Sequence, residues 1–413
     1  MNKVLKGLLV TVLAVGAAHA DHHTNKTFLM PRPTGVDLPM EYTTFDELIT
    51  RKAEDKFGGN FQVVPFYKDS NSDHEQGEYF LVNKKDKIKI YNQNVAAAKT
   101  TINDDVDLGY IVHDSQGATA GAHHYESFAS LDPREESYGV RFDYHQDLDK
   151  ILKGLYLKVN LPVVHVENDP KFTVESSSTL ATNIGAAAAT SLKTTLESFF
   201  RGDLELNAAG ANNNLVKKLT HGKINGHQDE TGVADIDVAL GYKILNKENY
   251  HLGLAIAITI PTGNDADGNY MFEPIVGNGG HFGLGGDLIA GARVWGDLDQ
   301  NIKLYLKMKY RYLFESSETR TFGLKDRLFG QYYMLSEVNA AGAVVQNTQL
   351  TPAANITTLD TDVTPGSQFD GVLGFAYNNG GFTFDLGYNL YYRECEDLHR
   401  KGNIPKQILC RCT

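Results

Sequence analysis

The sequence predicts an all-β fold: a transmembrane antiparallel up-and-down β-barrel of about 12 strands, between about 10 and 14. Three observations carry that reading. Apolar residues recur at every second position in runs mostly of ten to fourteen residues, which is strand periodicity at a length suited to crossing a bilayer. The alternate face of those runs is rich in Gly and Ala (Gly253, Ala255, Ala257, Gly283, Gly285, Gly291), where a solvated face would favour Lys, Glu and Thr. Aromatic residues sit near run ends, at Tyr138, Tyr144, Tyr250, Tyr312, Phe314, Phe382 and Tyr392, as in the aromatic belts of membrane interfaces.

The chain opens MNKVLKGLLVTVLAVGAAHA, with Lys3 and Lys6 ahead of an apolar run from Gly7 to Ala18 and a small-residue Ala18-His19-Ala20 site. Residues 1–20 therefore read as a secretory signal peptide. Residues 21–58 read as a lead-in segment in which Thr44 and Glu47 form a capping box for a helix near Phe45–Lys56. Cleavage after Ala20 would expose Asp21-His22-His23. A histidine third from a free amine can wrap Cu(II) or Ni(II) in a square-planar site, whereas the ordinary expectation for such a terminus is a frayed, solvated start. No other cofactor is expected.

Residues 59–393 hold the strand patterns. The clean runs are Ser137–His145, Val233–Leu245, Tyr250–Pro261, Ile302–Phe314 and Phe382–Arg393. Less regular runs are Asp105–Val112, Ile151–Val166, Phe282–Trp295 and Phe369–Tyr377, with weaker candidates at Asn60–Tyr67 and within Tyr79–Asn92. Short polar turns fall at Gln146–Lys150, Asn246–Asn249, Gly296–Asn301 and Asn378–Gly381. Long connections fall between them at His113–Glu136, Glu167–Gly232, Thr262–His281 and Glu315–Gln368. Within the insert at 168–231, Leu192, Leu196, Phe199 and Phe200 suit a short amphipathic helix. Residues 394–413 form an atypical tail that lacks alternation and holds Cys395, Cys410 and Cys412, the chain's three cysteines.

Charge excludes some partners. The formal net charge is −12, and without Lys3 and Lys6 it becomes 37 − 51 = −14. An acidic chain of this size is no bulk-electrostatic binder of nucleic acid. Past the leader no run of eighteen apolar residues occurs, so any crossing of a membrane is made by strands.

Strands of this length, short turns on one side and long connections on the other resemble a Gram-negative outer-membrane β-barrel of the porin or channel type, over about Asn60 to Arg393. Within it, LGLAIAITIPTGND followed by a Gly-rich loop and GLGGDLIAGARVW is similar to barrels of the aromatic-degradation (meta-pathway) transporter type. The resemblance implies a bacterial outer-membrane location, lipid and the periplasmic assembly machinery as partners, and passive or weakly selective passage of small solutes, for which the cationic run Ile302–Phe314 adds the reading that they are anionic. It carries no catalytic residues, and no enzyme activity is expected. In such barrels both termini lie in the periplasm, so an outward Phe382–Arg393 requires one more inward strand. The sequence is therefore expected to lack its last strand through truncation or a frame shift, the other reading being a genuine tail.

The stretch IKLYLKMKYRYLF places Lys303, Lys307, Lys309 and Arg311 on one face. In a barrel these cations line the interior, together with Arg141, Asp143, Asp235, Asp237, Asp287 and Arg293. They read either as an anion-attracting pore wall or as ion pairs that neutralise one another and fill the barrel. The alternative function is accordingly a plugged barrel that acts as a structural or surface-interaction protein through its long loops. The loop insert could narrow the interior or cover it. Other constellations are weak. Asn264–Asn269 reads as a turn rather than a calcium loop, His123-His124-Tyr125-Glu126 lacks zinc-protease spacing, and Gly280–Gly286 misses the dinucleotide-binding order.

Overall fold

The computed structural model describes residues 58–70, 87–91, 105–107, 126–176, 192–204, 217–297, 299–324, 329–337, 350–402 and 408–410. The signal peptide, the lead-in helix and Asp21-His22-His23 lie outside the described residues, as does His123-His124.

In chain order the described strands are β1 (Gly59–Asp69), β2 (Lys87–Tyr91), β3 (Asp105–Asp107), β4 (Glu126–Ser130), β5 (Arg134–Asp147), β6 (Leu155–Asp169) and β7 (Thr173–Ser176). Helix α1 (Leu192–Arg201) precedes β8 (Gln228–Val233), β9 (Ile236–Asn246), β10 (Tyr250–Ile260), β11 (Gly283–Gly296), β12 (Gln300–Leu313), β13 (Ser316–Thr321), β14 (Met334–Glu337) and β15 (Thr351–Pro352). Helix α2 (Ala354–Thr357) leads into β16 (Thr358–Thr364), β17 (Gly366–Asn379), β18 (Phe382–Arg393), β19 (Asp397–Arg400) and β20 (Ile408–Cys410).

The long strands form one curled antiparallel sheet in the order β1-β5-β6-β9-β10-β11-β12-β17-β18, with β8 pairing β6 beside β9. This curled half-barrel keeps sequence order throughout, as an up-and-down sheet must. Its nine-strand path is shorter than the twelve expected. Part of the difference lies in Asp105–Val112: its described portion β3 runs parallel to β2 in a separate small sheet, not in the main one. The weaker candidate at Asn60–Tyr67 is instead β1, paired over its whole length with β5 from Gly59↔Gln146 to Asp69↔Glu136. The Val233–Leu245 run is broken at Ala234-Asp235 into β8 and β9, both of which pair β6. The tail is not free of pairing: β19 adds to β16 and β20 to β14.

Because the strands alternate in direction, every long connection emerges at the same end of the sheet. There the four connections build a second layer with a core of its own. Ile88 and Ile90 come from the first, Val174, Leu196, Phe199, Phe200 and Ile224 from the second, Met271 and Phe272 from the third, and Tyr332, Met334 and Ala354 from the fourth. The predicted amphipathic helix is α1, and its Leu196, Phe199 and Phe200 are buried in this core. The two phenylalanines pack edge-to-face against Tyr332, with centroids 4.9 Å apart for Phe200 and 6.4 Å for Phe199. The centre of this cap is apolar, as in a fold in water, although the connections also bury the Arg320–Glu318 ion pair.

The main sheet has the opposite polarity. Its outer face exposes Phe61, Val63, Leu254, Ile256, Leu304, Leu373, Leu386 and Tyr388, while Arg141, Asp143, Lys158, Asp237, Asp287, Lys307, Lys309 and Arg311 are buried on its inner face. The outer row ends in aromatics. Tyr144, Tyr250, Trp295 and Phe382 mark the short-turn end, and Tyr67, Tyr138, Tyr312 and Tyr392 the cap end, all of them exposed.

Candidate functional site: the charged inner face

Period two in β12 turns Lys303, Tyr305, Lys307, Lys309 and Arg311 inward, and leaves Leu304, Tyr310 and Tyr312 outside. Register then decides which carboxylates they meet. Lys309 stands between Asp287 on β11 and Asp370 on β17. Arg311 donates through Nη1 to Asp287 Oδ1 at 2.6 Å and through Nη2 to Asp237 Oδ2 at 3.2 Å. Lys309 Nζ reaches the same Asp237 oxygen at 3.4 Å, and Thr259 Oγ1 donates to Asp237 Oδ1 at 2.5 Å. Asp237 lies on β9, so Arg311 spans two intervening strands. It can do so because their inner residues there are Gly285, Ala255 and Ala257, which leave the space to its side chain.

A second pair lies on β5, where Arg141 Nη2 donates to Asp143 Oδ2 at 2.7 Å. Asn160 of β6 completes it by donating to the other Asp143 oxygen. Toward the short-turn end Lys243 pairs with Asp147 at 2.8 Å. Beside them the Tyr156 ring covers Gly241, where an added Cβ would come within 2.1 Å of the ring.

The structure thus brings together Lys309, Arg311, Asp237 and Asp287, and separately Arg141 with Asp143. Lys307 is buried opposite Ile289 and Val372. Lys303 faces Arg293 and Ala376 across the ladder. Two expected wall residues serve other ends. Arg293 is drawn to the short turn, donating to Asn249 and lying 3.6 Å from Glu248. Asp235, at the break between β8 and β9, accepts the Asn278 backbone N–H at 2.8 Å and so anchors the third long connection. Sequence reasoning passed over Lys158, Asn160 and Tyr156. All three stand at alternate positions within Ile151–Val166, so the signal was present and only the register was missing. Among the described residues no group of three or more His, Cys, Asp or Glu converges as metal ligands. Asn264–Asn269 is irregular and bends at Gly268-Asn269, where Asp267 accepts from Asn269 N at 2.8 Å.

Chemically, this inner face offers fixed charges of both signs in contact, in a layer with little exposure: Arg141 is 2 % exposed and Asp237 2 %. No protein-family model matches the chain, and no curated protein matches it either.

Proposed function

We propose that this chain is a membrane-embedded β-barrel protein of the bacterial outer-membrane type, a channel through which small solutes, anions among them, pass beside the charged inner face. The observation that supports this most is the contrast of polarity within one chain. The cap buries Phe199, Leu196 and Tyr332, whereas the sheet leaves Ile256 71 % and Tyr388 73 % exposed and buries arginine and lysine. A fold in water gains about 25 cal/mol per Å² by hiding apolar area, so an outer wall of this kind fits a lipid solvent. A 12-residue strand rising about 3.3 Å per residue and tilted about 40° spans about 30 Å, and the two aromatic rows stand at such a wall's edges.

Eight successive antiparallel pairings leave β1 and β18 running the same way. Strands that closed the sheet into a barrel would have to be odd in number for both edges to be paired antiparallel, giving the even total of bacterial barrels. The Asp237–Arg311–Asp287 layer would then be its constriction. A second reading, a filled barrel whose cap is the working surface, draws support from the burial of that layer.

One experiment separates them: the refolded protein, checked by heat-dependent gel mobility, is placed in a planar bilayer under a salt gradient. Discrete current steps, with anion preference lost in a Lys307→Glu/Lys309→Glu variant, support the channel. A folded barrel without steps supports the filled one, and failure to associate with lipid would overturn both.

A further inference from the structure

The inner face gathers polar groups a second time, toward the short-turn end and away from the Asp237–Arg311–Asp287 layer. Asp237 and Lys243 are six residues apart on β9, which is about 20 Å at about 3.3 Å per residue. Four neighbouring strands meet there in register. His145 of β5 stands opposite Lys158 of β6, Tyr156 of β6 opposite Gly241 of β9, and Lys243 of β9 opposite Gly253 of β10. His251 lies two residues before Gly253 on β10, so period two turns it to the same side.

His145, Tyr156, Lys158, Lys243 and His251 line one partly open pocket of about 400 Å³, which Gly253 and Ile289 complete. Glycine keeps the space open: a Cβ on Gly253 would lie 3.3 Å from Tyr156 Oη. Tyr156 and Lys158 are buried in the wall, 3 % and 5 % exposed. The His145 and Tyr156 ring centroids are 5.3 Å apart, and Lys243 Nζ lies 5.9 Å from the same Tyr156 centroid.

None of the lining residues is acidic. An ammonium group carries three donors and no acceptor, and an imidazole or a phenol adds at least one donor more. Lys243 gives one donor to Asp147 Oδ1 at 2.8 Å and keeps two. Asp143, the other aspartate on this face of β5, is held by Arg141 and Asn160. The volume stands near the small end of ligand pockets, about 300–1,000 Å³, which calls for a small ligand. Donors that approach from four strands suit an anion with oxygens on all sides better than the flat, two-oxygen end of a carboxylate. We propose that this pocket binds a small oxyanion of the phosphate class, held by Lys158 and Lys243 and oriented by His145, His251 and the Tyr156 hydroxyl. Its role as a station for anions passing the inner face rests on the channel reading, whereas the binding itself requires only the folded sheet.

The test is calorimetric titration of inorganic phosphate into the refolded full chain in detergent at constant ionic strength, beside flotation of the same preparation with lipid vesicles. The expected result is saturable binding of about one phosphate per chain, at least about tenfold weaker in Lys158→Met, because a hydrogen bond between charged groups is lost. Acetate should bind more weakly than phosphate. Lys401→Met removes an equal charge from an exposed place on the tail and should leave the affinity within about twofold, since exposed charge is screened. If Lys158→Met does not fold, His251→Leu should show the weakening in its place. A folded chain without saturable phosphate binding, or equal losses in the pocket variant and in Lys401→Met, overturns the site, and acetate bound as tightly as phosphate overturns the ligand class. Flotation is read separately. A chain that binds phosphate and does not float keeps the site and loses the channel reading, and one that floats without binding loses the site alone.

Discussion

Arg311 shows what a residue must supply on an inner face of this kind. Its guanidinium answers two carboxylates at once, Asp287 at 2.6 Å and Asp237 at 3.2 Å, all three groups being buried. Removing one partner of a buried ion pair costs about 3–5 kcal/mol, because the remaining charge is stranded away from water. Arg311→Met is therefore expected to lower unfolding stability by about that amount, read as a drop in the urea midpoint of the refolded protein. Lys309→Met should cost clearly less, since Asp237 keeps Arg311 and the lysine lies farther off at 3.4 Å. Equal losses from both would show that Asp237 does not depend on Arg311. The ladder of cations was legible in the sequence because strand period sorts faces without further information. Their partners were not, because a carboxylate two strands away is fixed by register, and a one-residue slip would turn it to the other face. Asp235 shows the limit: it lies in phase with Asp237, yet a break in the strand gives it to a loop.

Between strands, small residues decide how the inner face closes. Tyr156 of β6 covers Gly241 of β9, and His251 of β10 covers Gly291 of β11 so closely that a Cβ there would lie 2.4 Å from the ring. Overpacking of this sort costs about 1–3 kcal/mol. Gly241→Ala should lose that much, whereas the same change in a Tyr156→Ala background should be nearly neutral; a double-mutant cycle on unfolding midpoints checks the coupling. A loss that persists without the ring would place the glycine's role in its backbone instead. Long runs such as Phe382–Arg393 were legible to the residue. The described part of Asp105–Val112 went to a cap sheet because a short alternating run satisfies either environment, and alternation alone names no neighbour. The cap itself was illegible for the same physical reason. Its core draws on four connections far apart in sequence, and apart from the amphipathic period of α1 none of them carries enough apolar residues to show one.

On the scale of the whole molecule, the sheet exposes apolar side chains of the kind the cap buries, and a single substitution can tell which solvent the sheet was built for. Ile256 stands at the middle of β10 on the outer face, 71 % exposed. In a water-soluble sheet, Ile256→Arg at so open a position should change stability by no more than about 0.5 kcal/mol. In a bilayer an arginine at the midplane of a barrel's lipid face costs about 2–4 kcal/mol, and the penalty falls to about 0–1 near the interfaces. The comparison that decides is therefore by depth. Ile256→Arg and Tyr250→Arg, the latter at the short-turn end of the same outer row, are unfolded by denaturant from lipid vesicles. The membrane reading expects a large loss for the first and a small one for the second, with the difference collapsing for any copy of the fold stable in water. A matching substitution in the cap, Leu196→Arg, should be severe in either medium, since Leu196 is fully buried among Phe199 and its neighbours. If Ile256→Arg were silent in vesicles while Leu196→Arg unfolded the protein, the outer wall would face water. The exposed aromatic rows would then have to be explained as an interface with another protein.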